Sequence, residues 1–134
     1  MKWVQKEPKY GDMIRTKVSF YHHYGIFVSP ECVIQFGWPD DVSRPAEEVK
    51  VLASDIYTFL QGGELEVAKL DLDEMSRRRS PKDTVAFAQE RIGQDGYDIL
   101  HNNCEHFANL CVFGESRSHF LQDVREKLRI KLGK

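Results

Sequence analysis

Long hydrophobic runs, paired cysteines and an excess of one charge are all missing from this chain, and each absence removes a class of protein. No apolar stretch reaches the length that a bilayer span requires. The opening residues, Met1-Lys2-Trp3-Val4-Gln5-Lys6-Glu7-Pro8, are too polar for a secretory signal. Three cysteines in 134 residues, an odd number without tight spacing, argue against a disulfide framework. They point instead to a reducing, cytoplasmic setting, where a free thiol survives. A formal net charge of -2 supplies no field for nucleic acid, which is not expected as a partner. There is no internal repeat and no low-complexity tract. With 41% hydrophobic and 30% charged residues, residues 1–134 are expected to form one domain with a modest core.

What is present reads as an α+β fold, a small antiparallel sheet with helices packed on it. Residues 11–18 read as a first strand. Residues 21–28 and 32–38 are rich in aromatic and β-branched side chains and predict a hairpin around Ser29-Pro30-Glu31. Residues 39–49 read as loop. A short helix over 54–60 would take Ser54 as N-cap and Gly62 as stop. Residues 64–72 alternate as a further strand, with Leu65, Val67 and Lys69 on one face. Arg77-Arg78-Arg79 reads as a solvated basic loop. Ser80-Pro81-Lys82-Asp83 is a helix start, and Val85, Ala88 and Ile92 form its apolar face as far as Gly93. Residues 97–100 look extended. A helix then opens at Cys104 and stops near Gly114. A last amphipathic helix is expected over 118–134, with Phe120, Leu121, Val124 and Leu128 at helical spacing. Its charged side either faces solvent or touches an anionic membrane surface as a peripheral contact.

Cys104 carries the chemical interest. It starts a helix just after Asn102-Asn103, residues that favour N-caps, so its thiol feels the positive end of the helix dipole, which favours thiolate. Phe107, Ala108 and Cys111 share its face and should be buried, leaving Cys104 at the edge, near the surface. His106 lies roughly 200° around a helix of 3.6 residues per turn and cannot easily serve Cys104 as base; it is expected to pack or cap locally. His101 ranks behind the hairpin as a source of the base. On the hairpin, His23, Gly25 and Phe27 share one face, and Val33, Gln35 and Gly37 another. An odd loop places His23 and Gln35 on the same side of the sheet, whereas a two-residue loop places them on opposite sides. Gly25 leaves room there for the Cys104 helix tip. Cys104, His23 and Gln35 would then be nucleophile, base and orienter, with the Cys104 amide and the Tyr21 hydroxyl as donors to a developing oxyanion. A slip of one residue would put His22 in place of His23. Cys32 and Cys111 read as small core residues. A zinc site from His22, His23, Cys104 and His106 lacks any CxxC or HxxxH spacing, and no metal or cofactor is assigned.

Asn103-Cys104-Glu105-His106-Phe107 resembles the NCEHF signature of the lecithin:retinol acyltransferase-like (LRAT-like) proteins, within the NlpC/P60 superfamily of papain-like thiol enzymes. Tyr10-Gly11-Asp12-Met13-Ile14 resembles the family's opening strand, and Tyr21-His22-His23-Tyr24-Gly25-Ile26-Phe27-Val28 its histidine strand. Ser80-Pro81 and Ser116-Arg117-Ser118 are similar to further landmarks, and residues 39–75 match least. The resemblance implies a Cys104 nucleophile, a His23 base, a polar third residue at Gln35 and a papain-like core with histidine before cysteine, a permuted order. Gln35 departs from the family's usual histidine and Tyr24 from its usual tryptophan. The apolar anchor that ends many relatives has no counterpart in residues 120–134.

The expected function is acyl transfer or hydrolysis through a Cys104 thioester, with a small-molecule or lipid substrate. Lipid esters of the phospholipase or acyltransferase type are favoured. Amide cleavage in peptides or cell-wall fragments is the alternative within the superfamily. A non-catalytic interaction module that keeps the fold is a second class, motivated by Gln35, and a regulatory thiol sensor a third.

Overall fold

The computed structural model describes residues 1–18, 21–39, 41, 44–98 and 103–114. Six strands, β1 (Lys2–Val4), β2 (Met13–Val18), β3 (Tyr21–Ser29), β4 (Cys32–Phe36), β5 (Val51–Ser54) and β6 (Leu65–Lys69), form one sheet in the order β1-β6-β2-β3-β4-β5. Every neighbouring pair is antiparallel. Helices α1 (Ile56–Leu60), α2 (Leu72–Arg77), α3 (Pro81–Glu90) and α4 (Cys104–Phe113), with a 3-10 turn at Ala46–Glu48, complete the described elements, and the fold is α+β as expected. None of the described helices is long and apolar enough to cross a membrane.

Strand alternation sorts the interior into two clusters. Met13, Tyr24, Ile26, Ile34 and Phe36 face α3 and α4 and pack with Val85, Ala88, Phe107, Ala108 and Cys111. Ile14, Phe27, Val33 and Val67 face the other way and pack around Phe59 of α1. Helix α4 is enclosed on nearly all sides, since only Leu110 and Phe113 among its residues are not buried. Asn103 caps it by accepting from the amides of Glu105 and His106, and Gly114 ends it in the left-handed region at φ 74°.

The hairpin solves its register in an unforeseen way. Ser29 pairs with Cys32 across a turn of only Pro30 and Glu31, a connection that by itself would reverse the parity. A bulge between Phe27 and Ser29 restores it, so that Phe27 faces Val33, Ile26 faces Ile34 and Gly25 faces Gln35. The sheet therefore carries His23 and Gln35 on the same side, through a bulge rather than an odd loop.

Other expectations are corrected. Ser54 ends β5, and the N-cap of α1 is Asp55, whose carboxylate accepts from the Thr58 amide. The stop is Gln61, left-handed at φ 51°, with Gly62 beyond it. The strand expected over 64–72 ends at Lys69, and Leu72–Arg77, including the first arginine of the basic run, is a helix that begins with a reciprocal Asp71–Glu74 capping box. Ile92 is 47% exposed because α3 stops at Glu90, before a third apolar turn can form. Two arginines of the basic run are not solvated loop residues. Arg78 donates to the Gly11 carbonyl and the Thr84 hydroxyl. Arg79 donates to the carbonyls of Leu110 (2.6 Å) and Cys111 (3.0 Å), with the Phe87 ring 4.0 Å beneath its guanidinium. These carbonyls close the last turn of α4, where partners are short and a cation suits the dipole. The amphipathic helix foreseen over 118–134 lies outside the described residues, as do Ile99, Leu100 and His101.

Candidate functional site

A diagonal row of polar side chains crosses three strands on the α1 side of the sheet. Gly25 stands opposite Gln35, and Gln35 opposite Leu52. His23 and Ser54 lie two residues from those partners, so His23, Gln35 and Ser54 share a face and reach one another diagonally. His23 Nε2 is 2.6 Å from Gln35 Oε1, Gln35 Nε2 donates to Ser54 Oγ at 2.7 Å, and Ser54 Oγ donates to the Asp55 carbonyl at 2.9 Å. His23 and Gln35 are fully buried, at 2% and 0% exposure. The strand phase sets His23, not His22, beside Gln35.

The space beside Gly25 belongs to α1 and not to α4. A Cβ on Gly25 would stand 2.7 Å from Phe59 Cε1, and the Phe59 ring lies 5.3 Å from the His23 imidazole. Burial against this ring lowers the His23 pKa to about 4, opposed by the Gln35 hydrogen bond. The ring is neutral at physiological pH. With Gln35 Oε1 as acceptor, the proton sits on Nε2, leaving a lone pair on Nδ1.

Cys104 approaches the same strand from another direction. The Phe27 amide bonds to the Asp12 carbonyl, so odd positions of β3 turn their backbone groups toward β2 and even positions toward β4. The pairing of β4 with β3 runs no further than Gly25 opposite Gln35. The backbone of His22 and Tyr24 is thereby open to the tip of α4. The Cys104 sulfur lies 4.0 Å from the His22 carbonyl oxygen, and the Tyr24 amide faces it as a donor. Thus α4 packs on the Tyr24 face while its first residue reaches the strand edge on either side of His23.

The thiol is more enclosed than its position at a helix start suggested, with 6% exposure. Burial pushes its pKa up to about 11, with the Glu105 charge adding to the effect; the amides of Tyr24, Glu105 and Cys104 itself oppose it. The helix N-terminus therefore favours the thiolate without prevailing over desolvation. Cys104 is thus a thiol and His23 a neutral imidazole; the sulfur's contacts are with the backbone of His22 and Tyr24, and the His23 ring's are with Gln35 and Phe59.

The remaining candidates separate cleanly. His106 Nδ1 accepts from the Asn103 amide at 3.1 Å, completing a capping box with histidine in the usual place of an acid. His22 is one-third exposed, with Nε2 3.8 Å from Glu66 Oε1, and its pKa is lowered mainly by burial and then by Arg15. Tyr21 starts β3 opposite Val18 and is partly buried. Cys111 is fully buried and Cys32 partly so; burial raises both thiols, Cys111 to about 12. Among the described residues no group of three or more His, Cys, Asp or Glu side chains is arranged to hold a metal.

Three residues escaped the sequence reading. Ser54 looked like a helix cap. Glu105 is a carboxylate at 5% exposure whose charge bears on Cys104 and Tyr24. Tyr97 packs edge-on against Phe36 at 5.2 Å, and the charges of Cys104 and Tyr21 add to the burial that raises its hydroxyl pKa. A tyrosine shortly before the Cys104 helix was the available signal for Tyr97, and its place beside Cys104 in the NCEHF run the one for Glu105; nothing local marks Ser54.

The family model described as lecithin retinol acyltransferase matches residues 6–117. Phospholipase A and acyltransferase 3 of Homo sapiens is 30% identical over 128 residues, covering 88% of this chain and 78% of that protein. Phospholipase A and acyltransferase 4 of Homo sapiens is 26% identical over 141 residues, with 96% and 81% covered. Lecithin retinol acyltransferase of Rattus norvegicus is 22% identical over 140 residues, with 90% and 61% covered.

Proposed function

The chain belongs to the lecithin retinol acyltransferase family, and from that membership we propose that it hydrolyses or transfers the acyl group of a lipid ester through a thioester on Cys104. The printed names of its relatives, phospholipase A and acyltransferase and lecithin retinol acyltransferase, support a lipid ester over a peptide amide. The observation that carries the mechanism is the 2.6 Å bond from His23 to Gln35. It commits Nε2 to donation and leaves Nδ1 as the basic nitrogen, on the residue between the two whose backbone meets the Cys104 sulfur.

In this reading the proton leaves sulfur for His23 Nδ1 as the sulfur attacks the ester carbonyl, since neither a free thiolate nor an imidazolium is favoured beforehand. The Cys104 amide, with the Tyr21 hydroxyl as a second donor, would hold the oxyanion. Collapse breaks the ester C–O bond, and the leaving alkoxide takes the proton from His23. An acceptor, either water or the hydroxyl or amine of a second molecule, then gives its proton to His23 and attacks the thioester. The released sulfur recovers that proton. Which acceptor reaches the thioester decides between hydrolysis and transfer.

Gln35, which motivated the non-catalytic reading, makes the contact that a histidine base needs. A thiol sensor is disfavoured by a raised pKa and near-complete burial of Cys104. Intact-mass measurement after incubation with a short-chain phospholipid, and separately with a cell-wall peptide, tests the proposal. An acyl adduct from the phospholipid on the peptide that holds Cys104, absent in Cys104→Ala and His23→Ala, is expected. Full turnover in Cys104→Ala would overturn it.

A further inference from the structure

We propose that Ser54 is a positioning residue, which sets the orientation of the Gln35 amide and through it the protonated nitrogen of His23. The role in catalysis rests on the function proposed above; the role in setting the tautomer does not. Packing cannot choose the orientation of Gln35, because the oxygen and nitrogen ends of an amide fill nearly equal space. His23 cannot choose either, since a neutral imidazole nitrogen donates or accepts according to its tautomer. A serine hydroxyl also plays both parts. The run His23–Gln35–Ser54 is therefore self-consistent in either sense, and something outside it has to break the symmetry.

The Asp55 carbonyl does so, because a carbonyl oxygen only accepts. Ser54 Oγ gives it its single proton at 2.9 Å, so the hydroxyl oxygen must accept from the other side. Gln35 accordingly presents its NH2 to Ser54 at 2.7 Å and its oxygen to His23 at 2.6 Å. His23 must then carry hydrogen on Nε2 and a lone pair on Nδ1. The Asp55 carbonyl is itself held in place. Asp55 is the N-cap of α1, and the same oxygen receives the Phe59 amide at 3.1 Å. The Phe59 ring in turn lies against the His23 imidazole. The first turn of α1 thus closes a loop on the base at both ends, through the hydrogen-bonded chain and through the aromatic contact.

Removing the hydroxyl frees Gln35 to turn over. A turned amide offers NH2 to His23, which then accepts at Nε2 and carries its proton on Nδ1, where no lone pair remains for a thiol proton. The full chain labelled with 15N-histidine reports this directly through long-range 15N–1H correlations at neutral pH, with His23 assigned by its loss in His23→Asn. The expected result is one Nε2–H tautomer in the wild type, a mixed or Nδ1–H state in Ser54→Ala, and recovery in Ser54→Thr. In phospholipid turnover kcat should fall about 10-fold in Ser54→Ala with KM little changed, and return in Ser54→Thr. An Nδ1–H tautomer in the wild type overturns the inference without recourse to any variant. So does an unaltered Nε2–H state in a folded Ser54→Ala, or an altered tautomer with unchanged kcat. Turnover that survives in Cys104→Ala would instead sink the thioester reading and leave the tautomer result standing.

Discussion

His23 and Gln35 meet diagonally across β3 and β4, Nε2 to Oε1 at 2.6 Å, because the position directly opposite Gln35 is held by Gly25, which has no side chain to intervene. The contact places a neutral acceptor, not a carboxylate, behind the imidazole. The imidazole thus stays neutral to low pH, with no ion pair on its Gln35 side.

Gln35→Glu should alter this in a defined direction. The His23 pKa is lowered to about 4, so the wild-type base is available above that pH and is lost as pH falls through it. A carboxylate in contact favours imidazolium and raises the pKa, by about one unit or more. The acidic limb of the kcat/KM profile should move upward by that amount, and pH–rate profiles of the two proteins would show it. An acidic limb that stays in place would mean that His23 is not the titrating base.

His106→Ala should cost about 1 kcal/mol of stability, because it removes the acceptor for the Asn103 amide in the capping box of α4. Turnover per folded molecule should stay within a few-fold of the wild type, and His106→Gln, which also suits a capping box, should recover stability. Urea titration with parallel kinetics separates this outcome from loss of a catalytic base.

Arg79→Ala should destabilise the fold by about 2 kcal/mol, the scale of charge-assisted hydrogen bonds. It strips the carbonyls of Leu110 and Cys111 of their guanidinium donor and leaves Arg91 as the remaining cation over the Phe87 ring. Arg79→Lys should recover little, since an ammonium cannot span the two carbonyls and cover the ring as a planar fork does. Chemical denaturation midpoints of the three proteins test the ordering.

Gly25→Ala should lose about 1–3 kcal/mol through overpacking, because the added methyl would stand 2.7 Å from Phe59 Cε1 and 3.0 Å from Val33 Cγ1. Any relief that moves Phe59 also loosens its contact with His23, so kcat should fall alongside stability. Stability and kcat are measured on the same preparations; a fall in stability with full kcat would show that the Phe59 contact is not needed to hold the base.

Much of the architecture was legible because its causes are local. The Ser80 cap with Pro81, the Asn103 cap and the Gly114 stop each depend on residues within a turn of one another, and each stands where the sequence put it. Strands β1 and β5, of three and four residues, are too short to show alternation, and the polar Ser54 next to Asp55 hid the end of β5 behind the signature of a helix start. Arg79 looked solvated because its acceptors lie more than thirty residues onward in the chain.

By itself, the amino-acid sequence determined an α+β chain with a capped cysteine helix, a histidine strand and a histidine at 106 that serves the helix end, since hydrogen bonding within a turn decides such features. Only the tertiary structure decided that a bulge keeps His23 and Gln35 on one side, that α1 occupies the space beside Gly25, and that burial outweighs the helix dipole at Cys104. Register and desolvation depend on what distant segments place around a side chain, and neighbouring residues do not carry that information.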